Sequence, residues 1–466
     1  MKLLTFLLFI ILIPTFPVFS QSNEKLTGNW SGSLDVQGTK LEIIFKISED
    51  KNNILSTKMD VPMQGAKDLP VSETLIKKDS LFLNVAMIMG KFSGKIISDS
   101  LVDGNWKQSG MTFPLTLNKS EATTEIKRPQ TPKPPFPYLV EEVEYVNSKS
   151  GLKLAGTLTT PENAVNCPAV ILISGSGAQD RDETIFEHKP FFVIADHLTR
   201  NGIAVLRVDD RGVGGSENGT TEATSEDYAG DVLAGIEFLK NRKEISNKNI
   251  GLIGHSEGGL IAPMVANQKQ DVAFIVMLAG PGISGEQIIV KQVELLNQAA
   301  GMNEEQVNQK VKLQKSIFEI LLNENDSLKR NKRLQETFTN GNYQSMNAEQ
   351  KKAVDSNIKG LNSSWFRFFI TYDPYPALTK LKCPVLALIG SKDLQVPPKE
   401  NLAAIEKALK EGGNNNFKTM ELENLNHLFQ SCETGAVAEY AQIEETISPK
   451  VLKILSDWIV NYGIKN

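Results

Sequence analysis

A chain of 466 residues is long enough for two or three domains, each with its own core. With 41% hydrophobic and 23% charged residues, the composition is that of a globular protein, neither disordered nor fibrous. A net charge of −5 with no clustered Lys/Arg stripe argues against nucleic acid as a partner.

Lys2 precedes the apolar run 3–13, which breaks at Pro14 and Pro17 and ends in Val18-Phe19-Ser20. A basic start, a short apolar stretch and a small-residue site predict an export signal over residues 1–20, cleaved before Gln21. An uncleaved N-terminal anchor is the alternative. The run is short for a membrane span, and no later segment reaches about 18 apolar residues. The mature chain is therefore expected to be exported, periplasmic or extracellular, with no stable membrane insertion. Cys167, Cys383 and Cys432 do not make a disulfide framework, and three free thiols are expected.

Residues 21–122 read as an all-β accessory domain. Leu41, Ile43, Phe45 and Ile47 recur at every second position, as do Phe113, Leu115 and Leu117. Turn signals between such runs suggest a small barrel or sandwich. Gly28-Asn29-Trp30 and Gly104-Asn105-Trp106 resemble the Gly-x-Trp opening of lipocalin-like barrels. A filled, docking domain and a ligand-holding barrel both fit that pattern.

Residues 123–137 carry Pro129, Pro132, Pro134, Pro135 and Pro137, which predicts a semi-rigid linker. From 138 to 466 apolar strands alternate with helical stretches, the pattern of a doubly wound, mostly parallel α/β sheet. A polar helical segment at about 284–372 interrupts it, where a lid insertion belongs. Its end holds Trp365, Phe366, Phe368 and Phe369, which are either core or the walls of a substrate pocket.

The chemistry centres on Gly254-His255-Ser256-Glu257-Gly258. An apolar strand (250–253) precedes it and a helix start follows, so Gly-x-Ser-x-Gly reads as a nucleophile elbow with Ser256 at its tip. A serine alkoxide is not available at neutral pH, so Ser256 needs a base, and the base needs an acid to orient it. Of the four histidines, only His427 follows the serine in the expected order. Asp393, directly after the strand 385–389, is the acid. Two backbone N–H donors must hold the oxyanion. Glu257, after the nucleophile, is one. The other comes from Ser174-Gly175-Ser176-Gly177, with Ser176 preferred over Gly177. Asp180, Arg181 and Asp182 read as an ion-pair brace for that loop. No His/Cys/Asp cluster has metal-ligand spacing, so neither a metal nor another cofactor is expected.

Those blocks, with Asp209-Asp210-Arg211-Gly212 and Asn426-His427-Leu428-Phe429, resemble the α/β-hydrolase superfamily. Within it they are similar to a bacterial esterase branch related to dienelactone hydrolases and serine aminopeptidases. The resemblance implies a carboxylic ester hydrolase acting on a small-molecule ester through an acyl-enzyme. An exopeptidase with the same triad, and a binding protein working through the β domain, are the alternatives. The oligomeric state is left open.

Overall fold

A computed structural model describes residues 26–36, 39–52, 54–62, 66–108, 110–120, 127–220 and 222–464. The expected export signal and the first part of the expected linker lie outside the described residues. The chain forms two compact units, the first drawn mainly from the strands before Thr123, the second containing Thr124–Asn466.

The first unit is one nine-stranded sheet: β1 (Gly28–Val36), β2 (Thr39–Glu49), β3 (Leu55–Val61), β4 (Ala66–Pro70), β5 (Glu73–Lys77), β6 (Ser80–Val85), β7 (Gly90–Ser98), β8 (Leu101–Gln108) and β9 (Met111–Ser120). Its order is β4-β3-β2-β1-β9-β8-β7-β6-β5, with antiparallel ladders from β5 through β9. The period of two aims Leu81, Leu83 and Val85 of β6 and Leu115 and Leu117 of β9 at one buried face. Trp30 and Trp106, the tryptophans of the two Gly-Asn-Trp stretches, are both fully buried there. Phe45 packs on Phe92 and Trp106 at centroid distances of 6.0 and 6.2 Å. Each indole finds an acceptor: Trp30 Nε1 donates to the Leu26 carbonyl (2.8 Å) and Trp106 Nε1 to Gln108 Oε1 (3.1 Å).

The second unit carries eight strands: β10 (Tyr138–Val146), β11 (Lys153–Pro161), β12 (Cys167–Ile173), β13 (Ala204–Val208), β14 (Ile245–His255), β15 (Ile275–Leu278), β16 (Val385–Gly390) and β17 (Phe417–Leu422). They order as β10-β11-β13-β12-β14-β15-β16-β17, an antiparallel hairpin leading into a parallel sheet. Near-continuous apolar strands demand cover on both faces. On one face, α2 (Ser225–Lys240), α3 (Glu257–Gln268) and α10 (Pro398–Glu411) bury Ile236, Leu260 and Ile405 against the sheet. On the other, α1 (Pro190–Arg200) and α12 (Pro449–Trp458) bury Ile194, Leu198 and Leu455. Ser448 sits at the cap position of α12 but makes no side-chain capping bond, and the helix passes into a π turn at Ile459–Gly463. The short α11 (Val437–Tyr440) follows β17. All three cysteines are free thiols.

Between β15 and β16 stand the insertion's helices: α4 (Gly285–Ala299), α5 (Glu304–Asn323), α6 (Ser327–Thr339), α7 (Ala348–Leu361) and α8 (Ser364–Thr371), then the single turn α9 (Tyr375–Leu378). Polar helices need defined starts, and α4, α5 and α7 open on capping boxes: Ser284 with Gln287, Asn303 with Gln306, and Asn347 with Gln350. Such a cap stabilises by about 1 kcal/mol. The insertion has a small core of its own, built on Phe318, Leu321, Leu334, Ile358 and Ile370.

Over its described part, the proline-rich stretch is held by hydrogen bonds to the rest of the second unit. Arg128 donates to the carbonyls of Phe186, Ala441 and Ile443, and Gln130 Nε2 to that of Ile447 (2.7 Å). Phe136 stacks on Tyr138 at 5.3 Å. Fixed prolines cut the conformational entropy lost on docking, and the side chains between them supply the contacts.

Candidate active site

The elbow forms because β14 must turn into α3 without an intervening loop. Ser256 takes φ 51° and ψ −117°, a backbone state that costs a non-glycine residue about 1–3 kcal/mol. Ser256 N–H donates to the Leu278 carbonyl at 2.8 Å, and its own carbonyl accepts from Gly259 N–H at 2.9 Å. The flanking glycines are steric requirements. A Cβ on Gly254 would lie 2.0 Å from the Gly258 carbonyl oxygen, and one on Gly258 2.1 Å from that of Ile173.

Asp393 and His427 come from loops after β16 and β17 and meet beside the elbow. His427 Nδ1 lies 2.7 Å from Asp393 Oδ2, with Asp393 1% and His427 5% exposed. The carboxylate's other oxygen accepts from the Gln395 and Val396 N–H groups, both at 2.8 Å. Those bonds fix its orientation and offset part of the cost of burying a charge. The turn 425–431 holds the histidine: Asn426 Oδ1 accepts from Leu428 N–H (3.0 Å) and Gln430 N–H (2.9 Å). His427 Nε2 has no hydrogen-bond partner among the described residues.

The loop after β12 runs past the nucleophile. A Cβ on Gly175 would lie 3.3 Å from Ser256 Cβ, which places this backbone against the serine. Gly175 N–H donates to Glu183 Oε1 at 2.6 Å, so it is committed. Ser176 N–H and Glu257 N–H, the two expected oxyanion donors, carry no bond among the described residues. Arg181 pairs with Asp209 at 2.6 Å and with Glu142, and Asp182 with Arg207 and Lys189. Asp210 accepts from Ser174 Oγ (2.9 Å) and Gln179 N–H (2.9 Å). Burial, with the charges of Glu183 and Glu257 adding to it, pushes the Asp210 carboxyl up to about 7.

Of the four aromatic candidates, Trp365 bonds to the side chain of Glu257, the residue after Ser256. Its Nε1 donates to both Glu257 oxygens (2.9 and 3.0 Å), while Ser225 Oγ donates to Oε1 at 2.6 Å. Burial raises the Glu257 pKa against those bonds. Phe369 stacks on Trp365 at 5.6 Å and 11°. Phe366 packs on Phe318 in the insertion's core, and Phe368 stacks on Tyr372 against the sheet's core. Packing thus engages Phe366 and Phe368, and Phe369 against both cores.

Sequence reasoning missed Glu183. It lies in an irregular loop, and its partner His255 is 72 positions away. No periodicity marks it. The bond between Glu257 and Trp365 was equally hidden, although both residues had been singled out for other roles.

A family model described as Serine aminopeptidase, S33, matches residues 187–430. Esterase EstD of Thermotoga maritima is 25% identical over 466 residues, covering 99% of this chain and 100% of that protein. Among solved structures, an esterase of Pyrococcus furiosus superposes with a TM-score of 0.43 at 17% identity, over 74% of this chain and 100% of its own. Est1E of Butyrivibrio proteoclasticus with ferulic acid bound gives 0.40 and 17%, over 68% and 100%. The family match spans more than half of the chain and takes in Ser256, Asp393 and His427. With the sheet order and the elbow, it establishes that this chain belongs to the serine aminopeptidase S33 family of α/β hydrolases.

Proposed function

We propose that the protein is an exported serine esterase that cleaves carboxylic esters with short acyl chains. The carrying observation is the buried Asp393–His427 pair, with a ring nitrogen left unbonded, beside a strained serine. Ser256 Oγ attacks the ester carbonyl carbon and gives its proton to His427 Nε2. Asp393 holds the tautomer and stabilises the imidazolium. Negative charge gathers on the carbonyl oxygen, where the Ser176 and Glu257 N–H groups receive it. The C–O bond then breaks, the alcohol leaves with the proton from His427, and the acyl group stays on Ser256. Water repeats the sequence: its proton goes to His427, its oxygen to the acyl carbon, and the acid departs as Ser256 regains its proton.

The full-length likeness to a protein named an esterase supports the ester substrate. The family description raises the exopeptidase reading, which needs a carboxylate free to hold a substrate ammonium. Glu257 or an acid of the insertion would have to supply it, and at Glu257 the Ser225 hydroxyl and the Trp365 indole already donate to the carboxylate oxygens. The stacked rings of Trp365 and Phe369, tied to Glu257 through Trp365 Nε1, serve in this reading as a wall that limits acyl length. The β unit, its buried face filled by Trp30, Phe45, Phe92 and Trp106, acts in this reading as an accessory domain. The mature chain begins at Gln21, which its intact mass after export would show.

The test is hydrolysis of p-nitrophenyl esters of increasing acyl length, beside an aminoacyl p-nitroanilide with a free amine. Turnover that peaks on short esters and vanishes in Ser256→Ala is expected. Turnover of the anilide alone would replace the esterase with the exopeptidase.

A further inference from the structure

His255 precedes the nucleophile, yet it is not placed as a base. Both of its ring nitrogens are taken: Nδ1 lies 2.9 Å from Glu183 Oε1, and Nε2 3.0 Å from the backbone carbonyl of His427. A carbonyl only accepts, and so does an ionised carboxylate, so with Glu183 ionised both nitrogens donate and the ring is an imidazolium. Burial pulls its pKa down, but the Glu183 charge and hydrogen bond outweigh that and leave it raised. Only 5% of Glu183 and 7% of His255 are exposed. The same Glu183 oxygen receives Gly175 N–H at 2.6 Å.

One ion pair therefore touches three pieces of the site. Through Glu183 it holds the backbone one residue before the Ser176 donor. Through Nε2 it holds the backbone of His427. Through the chain it is joined to Ser256 itself. The His255 and His427 rings are 4.9 Å apart, and Phe429 closes the far side at 6.5 Å. Glu183 adopts φ 52°, a left-handed conformation that the loop accepts where the carboxylate must reach back to Gly175.

We propose that Glu183 and His255 are positioning residues that lock the oxyanion-donor loop and the His427 loop in register with Ser256. The pair touches no reacting atom. Its work is to keep a donor and a base, carried by separate strands, at fixed distances from the serine. This rests on the serine-esterase reading above.

The experiment measures kcat and KM on p-nitrophenyl acetate for the full chain and for Glu183→Gln, Glu183→Met, His255→Asn and Ser256→Ala, with near-UV circular dichroism on each. A misplaced donor or base costs roughly 10²-fold in rate. Glu183→Met, similar in length but with no acceptor for Gly175 N–H, is expected to lose about that much in kcat with little change in KM. Glu183→Gln keeps an acceptor oxygen and should recover most of the loss. Wild-type kcat in folded Glu183→Met, or a loss wholly in KM, overturns the proposal. If the Met variant fails to fold, His255→Asn decides: a lower kcat at unchanged KM supports the pair, and an unchanged kcat overturns it. Turnover surviving in Ser256→Ala would bring down the serine reading itself. A dead Ser256→Ala beside an active Glu183→Met would overturn only the pair.

Discussion

Two buried carboxylate–histidine pairs lie side by side at the sheet's C-terminal edge, and they differ in one nitrogen. In Asp393–His427 the carboxylate takes Nδ1 and Nε2 carries no bond among the described residues. In Glu183–His255 the second nitrogen is consumed by the His427 carbonyl. A base needs a free lone pair facing the reacting proton, whereas a brace needs every donor and acceptor engaged. In the proposed reading the same two functional groups serve chemistry in one pair and geometry in the other.

The sharpest way to break that comparison is Asp393→Asn against Glu183→Met. Loss of the orienting acid is expected to lower kcat about 10⁴-fold, far beyond the loss at Glu183, in steady-state kinetics on one ester. Equal losses would erase the distinction. Stability sharpens it next. Breaking a buried pair leaves an uncompensated charge and costs about 3–5 kcal/mol, so Glu183→Met should melt well below wild type. Adding His255→Leu removes the stranded cation, and the double variant is expected to melt higher than Glu183→Met alone. A smaller effect is expected at the insertion. Trp365→Phe removes the indole N–H that donates to both Glu257 oxygens and about 1–3 kcal/mol of stability, and Trp365→Ala should shift the ester preference toward longer acyl chains. The slightest is a pH effect beneath the oxyanion loop. Asp210 sits at about 7 in the fold against 3.8 ordinarily, so between those values the folded chain keeps a proton the unfolded chain has lost. Its contribution is complete below 3.8 and is lost as pH rises to about 7. Asp210→Asn should therefore gain in melting temperature over wild type as pH rises through that window.

The parts of the site legible in the sequence were those tied to regular structure. Ser256 and Asp393 each follow a continuous apolar run, and His427 lies in the loop after the mixed strand Phe417–Leu422, so the ends of neighbouring strands place the three near one another. The insertion was read as helical from its polar stretch between apolar strands, and in the structure Ser284, Asn303 and Asn347 cap its helices. Glu183 was not, since an irregular loop gives no period from which to infer direction. The contacts of the proline-rich run were hidden for a related reason. Its composition describes a spacer, while its docking depends on Arg128 and Gln130, two side chains that composition does not weigh. Strand alternation predicted a β unit, but the single nine-strand order required pairings that no local pattern specifies.

The central claim is that Ser256 carries the acyl group. Incubation with a fluorophosphonate, followed by mass spectrometry of the digested protein, tests it directly. One phosphonyl group on the peptide containing Ser256, slowed in Asp393→Asn and absent in Ser256→Ala, is the expected result. A label on another residue, or an unlabelled protein that still turns over esters, would contradict it.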